Sequence, residues 1–134
     1  MSVNRAIRRA DSLLPGTPAP KNKNDRRWQA IMRVGNYIET NPDEVWQFVR
    51  RWGTHKQTDL RDAIACCLLE HLLQYHFDLI LPRVEQTAKA SKLFADTFTR
   101  CWKFGQSESQ ENSKKFDRLQ AWCRTRTRRT ARTT

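Results

Sequence analysis

The chain has little of the residues that punctuate β-sheets, with only four glycines and five prolines among 134 residues. Runs of β-branched residues are also short, so the sequence disfavours a many-stranded sheet and favours long helices. The four cysteines form no CxxC pair, and the first residues do not show the apolar stretch of a secretory leader. Together these features predict a reducing compartment, cytoplasmic or nucleoid-associated. No apolar run approaches the roughly 20 residues that a transmembrane helix needs, so we expect no membrane span.

What the chain does contain is enough apolar material for one core. Hydrophobic residues make up 38% of the sequence and aromatic residues 10%, including five tryptophans, although the mean hydropathy is −0.82. A length of 134 residues fits one domain with a real core and is too short for two ordinary domains. We therefore expect a single folded domain and not general disorder.

Positive charge is concentrated at the two ends of the chain, whose net charge is +11. Residues 1–27 carry seven Lys or Arg and two Asp, and residues 124–134 carry five Arg and no acid. Residues 28–123 are nearly balanced, with thirteen basic and twelve acidic side chains. Basic ends of this kind attract polyanions at long range, and salt weakens the attraction. The alternative is a solvated tail that only aids solubility.

Apolar spacings of three and four residues predict a series of helices separated by short polar turns. The predicted helices cover residues 2–14, 26–40, 42–52, 58–75, 82–90, 92–104 and a stretch within 109–124. Their apolar faces are expected to bury, among others, Met32, Phe116, Leu119 and Cys123. A turn is predicted at residues 76–81 because Pro82 disfavours helix at the residue before it. The predicted fold is all-α, either a short solenoid or a small irregular helical bundle. It comprises a basic N-terminal helix and Pro-rich linker (1–24), a helical domain (25–124) and a basic tail (125–134) that is disordered in isolation.

Several helix boundaries carry specific signals. Asp25 and Ser91 are placed to cap the helices that follow them, because a short polar side chain can accept the free N–H groups of a first turn. Asn41 is predicted to cap the next helix, with Pro42 at its first position. Gly53 is expected to end that helix in a left-handed conformation.

The segment 41–105 resembles HEAT-type helical repeats. A first helix ends at Trp52, a short polar turn follows, and Asp59-Leu60-Arg61 then leads through Ala63 into a leucine-rich second helix. The resemblance implies a short α-solenoid in which Asp59 and Arg61 tie neighbouring repeats together. It assigns these two residues a structural role and not a catalytic one.

No catalytic motif of diagnostic spacing is present, and we expect neither enzymatic activity nor a cofactor. Four residues of the types that bind zinc lie close together in sequence but lack the paired spacing of a zinc site: Cys66, Cys67, His71 and His76. On one helix, Cys67 and His71 are one turn apart on the predicted buried face. We therefore interpret them as core residues and expect no metal.

These features favour a non-catalytic module that binds DNA or RNA by sequence-tolerant phosphate contacts from its basic ends. The predicted contact residues are Arg5, Arg8, Arg9, Lys21, Lys23, Arg26, Arg27, Arg124, Arg126, Arg128, Arg129 and Arg132. Trp46 and Trp122 lie beside their apolar stripes and are predicted to be exposed at a protein interface, whereas Trp28 and Trp52 are predicted to be buried.

Three other functions remain open at this point. The first is an adaptor subunit whose helical body docks on a protein partner. The second, weaker one is a DNA glycosylase-like repair protein, because HEAT-like glycosylases of the alkylation-repair type hold DNA with Trp, Arg and Asp side chains. This chain has those residue types in Trp46, Trp52, Arg50, Arg51 and Asp59. The third is binding of residues 2–14 to an anionic membrane.

Overall fold

The computed structural model describes residues 2–15 and 25–133, with side chains as far as residue 128. These residues form an all-α helical bundle and contain no strand. Within the described residues, seven α-helices follow one another: α1 (Val3–Leu13), α2 (Arg26–Gly35), α3 (Pro42–Trp52), α4 (Thr58–Ile64), α5 (Glu70–Ala90), α6 (Lys92–Thr99) and α7 (Gln110–Thr133). A π-helical turn (Ala65–Leu69) joins α4 to α5, and a 3₁₀ turn (Gly105–Glu108) precedes α7.

Local capping explains where several helices begin. The side chains of Ser2, Asp25 and Ser91 each accept a backbone N–H from the first turn of the following helix, so the two predicted caps at Asp25 and Ser91 are confirmed. Pro42 occupies the start of α3 as predicted. The predicted cap at Asn41 is wrong: its side chain makes no capping bond and instead accepts a hydrogen bond from the hydroxyl of Thr40 at 2.8 Å.

Helix α1 packs into the same core as the helices that follow it. Its buried residues contact α2 and α3, and its C-cap residue Leu14 is fully buried. The carboxylate of Asp11 accepts hydrogen bonds from Arg51 and from the indole Nε1 of Trp52, the latter at 2.7 Å. The division predicted at residue 25 therefore separates α1 from a core to which it belongs.

Two predicted helices end earlier than expected. The predicted helix 26–40 stops at Gly35, because the next N–H groups turn to carbonyls only three residues back, which tightens the chain into a turn. Met32, predicted to be buried, is 46% exposed. Helix α6 ends at Thr99 and not near residue 104, and Trp102 beyond it is 73% exposed.

The long central helix breaks at one residue, His76, so the predicted turn at 76–81 is confirmed at its first residue and wrong for residues 77–81. His76 leaves helical geometry (φ −140°, ψ 49°), while α5 continues through Pro82 to Ala90. The side-chain amide of Gln106 fills the break: its Oε1 accepts the N–H of Phe77 at 2.9 Å, and its Nε2 donates to the carbonyl of Tyr75 at 2.9 Å. A residue 29 positions away thus satisfies the backbone groups that the break leaves open.

Replacing Gln106 by alanine should lower the free energy of unfolding by about 1–2 kcal/mol, because the N–H of Phe77 loses its acceptor in a partly buried position. Urea unfolding at neutral pH measures the change. Gln110→Ala is the matched control, since Gln110 is exposed in the first turn of α7. Equal effects of the two substitutions would contradict the role assigned to Gln106.

Arg61 ties α4 to α6 and to the turn before α4. Its guanidinium donates to a carboxylate oxygen of Asp96 at 2.7 Å and to the backbone carbonyls of His55 and Lys56. Arg61 thus has a structural role in this fold, while Asp59 is exposed at the start of α4.

The last helix is longer than predicted. It buries Phe116, Leu119 and Cys123 as expected, but it continues past Arg124 to Thr133. The boundary predicted at residue 125 therefore falls inside α7.

The stretch Thr58–Ala90 is the one described helical segment long and apolar enough, by length and composition, to cross a membrane. Its most apolar window is 56% buried inside the protein. Several of its large side chains are at most 1% exposed, among them Leu60, Ile64, Leu68, Leu72 and Phe77. The apolar character of the segment is thus used for packing in the core.

Candidate functional site

A basic groove of about 530 Å³ lies between α3 and the C-terminal half of α5. We call it the arginine groove. The side chains that line it are mostly cationic or hydrogen-bonding: Trp46, Gln47, Arg50, Arg51, Thr54, Arg83, Gln86, Thr87, Ala90 and Ser91. None of these described lining residues is acidic, so the groove offers three guanidinium groups and several neutral donors to a ligand.

The three arginines have different partners. Arg51 donates to Asp11 at 2.9 Å, and Arg83 lies 2.8 Å from a carboxylate oxygen of Asp43. Arg50 is exposed and has no side-chain partner among the described residues. Exposed pairs such as that of Arg83 with Asp43, whose side chain is 67% exposed, contribute little stability. A phosphate in the groove can therefore compete with these carboxylates for the guanidinium groups.

Trp46 forms part of the groove lining but is only 3% exposed, so its predicted role at an exposed interface is wrong. Its ring packs edge-on against Phe94 with the ring centroids 5.7 Å apart. Helix α3 contacts α1, α4 and α5, and it therefore buries more than one face. Trp52 is buried as predicted at 9% exposure, and Trp28 is half-buried.

The predicted N-terminal phosphate contacts are only partly accessible. Arg5, Arg8, Arg9 and Arg26 are exposed, but Arg27 is 7% exposed and donates to the capping residue Asp25. Arg27 is therefore withdrawn from solvent, and its predicted role is corrected. Lys21 and Lys23 lie outside the described residues.

Arg8 lies on the side of α1 that contacts the arginine groove. Asp11 binds Arg51 of the groove, and Arg8 precedes Asp11 by three residues, which places both on one side of α1. A polyanion that occupies the groove can thus continue along α1.

The C-terminal arginines belong to an ordered helix as far as they are described. Arg124 and Arg128 are exposed, and Arg124 donates to Gln120. Arg126 donates to the carbonyls of Ala88 and Lys89 at the end of α5. The side chains of Arg129 and Arg132 lie outside the described residues.

Sequence reasoning did not identify the arginine groove as a site. Arg50 and Arg51 lie next to each other in the near-neutral middle of the chain, and Arg83 is over thirty residues further on. Charge counting along the chain therefore reports no excess of positive charge there. The positive charge of these three arginines is brought together only because α3 lies close to α5.

The cysteines do not have the properties of nucleophiles. Burial, together with the negative charges of Asp62 and Glu70, raises the pKa of Cys66 to about 11. Burial likewise raises the pKa of Cys67 to about 12. Both thiols are therefore protonated near neutral pH, whereas reactive cysteines have lowered pKa values.

No cluster of metal-ligating side chains occurs among the residues that the structure describes. His71, one of the residues considered for zinc, has its Nδ1 2.8 Å from Oε1 of Gln74 and stacks on Phe104. His76 has its Nε2 2.9 Å from the carbonyl of Ile38. Both imidazoles thus take part in local packing and hydrogen bonding.

The model of a family of unknown function, DUF6869, matches residues 17–126. No curated protein and no solved structure matches the chain. The match covers most of the helical core, including both helices that form the arginine groove.

Proposed function

We propose that this chain, a member of the DUF6869 family of unknown function, is a non-catalytic module that binds nucleic acid by phosphate contacts without reading the base sequence. One observation carries the proposal: Arg50, Arg51 and Arg83 converge from two helices on one groove that no described acidic side chain lines. Guanidinium groups bind phosphate oxygens through paired donors, which suits a charged backbone.

The neutral groups of the arginine groove add to this chemistry. Gln47, Gln86 and Thr54 can donate to phosphate or sugar oxygens. Contacts of this kind position a nucleic-acid backbone but carry no sequence information. The proposal therefore predicts similar affinities for duplexes of different sequence.

The basic ends extend the same surface. Arg8 on α1 lies near the groove through the contact of Asp11 with Arg51. At the other end, Arg126 donates to the carbonyls of Ala88 and Lys89, which follow the groove residue Thr87 directly in α5. Exposed arginines on α1 and α7 can thus contact phosphates on either side of the groove.

Replacing Arg50, Arg51 and Arg83 together by glutamine should reduce the steepness with which binding falls as salt rises. For each phosphate contact that is lost, binding to DNA releases about one counterion fewer. The magnitude of the slope of log K against log salt should therefore fall by about 2–3 units on duplex DNA. Fluorescence anisotropy with a labelled duplex between about 50 and 200 mM salt measures the slope.

The matched control carries the same change of net charge elsewhere. Arg33, Lys56 and Lys114 are exposed and lie outside the arginine groove, so their triple glutamine variant should leave the slope within about one unit of the wild-type value. Equal losses in the two triple variants would contradict a defined site and leave only the general attraction of a basic protein. Absence of binding to any nucleic acid in dilute buffer would overturn the proposal.

A further inference from the structure

A second groove of about 530 Å³ lies on the opposite side of the C-terminal half of α5, between α5 and α7. We call it the Trp122 groove. Apolar side chains dominate its surface, with the buried rings and chains of Phe77 and Leu119 beneath and Leu81, Pro82 and Trp122 beside them. Trp122 is 39% exposed, as the sequence predicted, so part of its indole faces solvent.

Trp122 is held in place by the arginine that closes α5. The guanidinium carbon of Arg126 lies 5.6 Å from the centre of the Trp122 ring, and its Nη1 donates to the carbonyl of Ala88 at 2.8 Å. This tie orients the indole before any ligand arrives. An aromatic ring that is already oriented loses little side-chain entropy when a flat ligand stacks on it.

Charged side chains surround the apolar surface. Lys89, Lys115 and Arg118 line the groove together with two acids, Asp78 and Glu85. Lys89 lies 3.6 Å from Glu85, whereas Arg118 has no side-chain partner among the described residues. The groove thus combines the partly exposed indole of Trp122, cations for a phosphate, and the carboxylate of Asp78, which can accept a hydrogen bond from an exocyclic amino group.

The two grooves share one helix. Gln86, Thr87 and Ala90 of α5 line the arginine groove, while Glu85 and Lys89 line the Trp122 groove. Arg126 binds the carbonyls at the end of this helix, between the two sides. One polynucleotide strand bound in the arginine groove can therefore pass over the end of α5 to the Trp122 groove.

We infer that the Trp122 groove accepts an unpaired nucleobase, so that the protein binds single-stranded nucleic acid in preference to duplex. The inference rests on the proposed function and adds the class of nucleic acid. Bases in a duplex are stacked on one another and do not reach a groove of this kind, whereas bases of a single strand stack readily on aromatic side chains. The cations at the rim serve the adjoining phosphates.

The test compares three labelled ligands of equal length: a single strand, a duplex, and a single strand whose nucleotides are abasic. Trp122→Ala should weaken binding of the ordinary single strand by about 5- to 100-fold, because it removes the stacking surface. Binding of the duplex and of the abasic strand should change by less than about twofold, because their phosphate contacts remain. Trp122→Phe should keep most of the preference for the single strand.

A matched control and a second variant distinguish loss of the aromatic surface from a change in folding. Trp102 is the most exposed of the large hydrophobic residues and lies outside the Trp122 groove, so Trp102→Ala should leave all three affinities unchanged. Trp122→Leu keeps apolar volume over Phe77 and Leu119 but removes the aromatic face. It should therefore retain the wild-type unfolding temperature and still lose the preference for the single strand.

Two results would overturn the inference. One is an equal loss of affinity for the ordinary and abasic strands in Trp122→Leu, which would mean that no base contacts the indole. The other is wild-type binding to duplex as tight as binding to the single strand. In both cases the salt-dependent binding of the duplex would remain. Failure of the proposed function itself is a different result, in which the wild-type protein binds none of the three ligands in dilute buffer.

Discussion

Replacing Asp96 by asparagine should lower the free energy of unfolding by about 3–5 kcal/mol, because it leaves the guanidinium of Arg61 buried without its counter-charge. The side chain of Arg61 is 6% exposed, and its Nη2 lies 2.7 Å from Oδ2 of Asp96. Its other hydrogen bonds go to the carbonyls of His55 and Lys56, which carry no net charge. Urea unfolding at neutral pH measures the loss.

The pH dependence of stability gives a second measurement of the same pair. Burial raises the pKa of the Asp96 carboxyl, but hydrogen bonds and charges from Arg61 and Arg100 outweigh it, so the pKa lies below its ordinary value. A carboxyl whose pKa is lowered in the folded state contributes stability above its unfolded pKa of about 3.9. That stability is lost as pH falls through the folded pKa. The difference between the wild type and Asp96→Asn should therefore be largest at neutral pH and shrink in acid.

Asp62 provides the control for this prediction. Its side chain is 57% exposed and lies 3.7 Å from Arg100, so the pair is a surface contact. Asp62→Asn should cost less than about 1 kcal/mol. If the two asparagine variants lost equal stability at neutral pH, Arg61 would not depend on Asp96 as its counter-charge.

Replacing Gly53 by alanine should destabilise the protein by about 1–3 kcal/mol, although alanine is the better helix former. Gly53 ends α3 in right-handed helical geometry (φ −69°), so the predicted left-handed role is wrong. Its importance comes from close packing: an added Cβ would lie 2.6 Å from the carbonyl oxygen of Val49 and 2.9 Å from the ring of Phe94. The backbone oxygen cannot move without disturbing α3, and the ring is fully buried.

A double-mutant cycle separates the contact with Phe94 from other effects. Phe94→Leu removes the ring atoms that the new methyl group would meet, so Gly53→Ala should cost about 1 kcal/mol less in that background than in the wild type. Gly35→Ala is the comparison within α2, where the nearest atom to an added Cβ is a side-chain carbon of Leu68 at 3.3 Å. It should be tolerated better than Gly53→Ala. Equal costs at the two glycines, or strict additivity in the cycle, would contradict the packing argument.

The sequence predicted those parts of the fold that local interactions decide. The caps at Asp25 and Ser91 and the start at Pro42 were found correctly, because a capping side chain acts within three residues of its own position. The buried positions Phe116 and Cys123 were found because helical spacing places them on one face. The predicted turn at 76–81 began at the right residue, His76, but was too long, because α5 continues through Pro82. No local signal shows that Gln106, far along the chain, satisfies the backbone groups at the break.

The candidate sites were predicted less completely. Trp122 was correctly expected to be exposed, but Trp46, which looked equivalent on its own helix, is covered by Phe94 from α6. Arg27 was counted with the exposed basic residues, yet it is buried beside its capping aspartate. Helical periodicity describes one face of one helix, and it does not report how many neighbours that helix has.

By itself, the sequence determined that this protein is all-α, where most helices begin, and that its net positive charge is concentrated near the ends, because each follows from residue type and short-range spacing. Only the tertiary structure decided that Arg50, Arg51 and Arg83 share a groove and that Arg126 orients Trp122 at the end of α5. The first arrangement brings Arg83 to Arg50 and Arg51, and the second brings Arg126 to the carbonyl of Ala88, so both join residues that are distant in sequence. They depend on how the helices pack, and the packing is set by the summed contacts of the whole core.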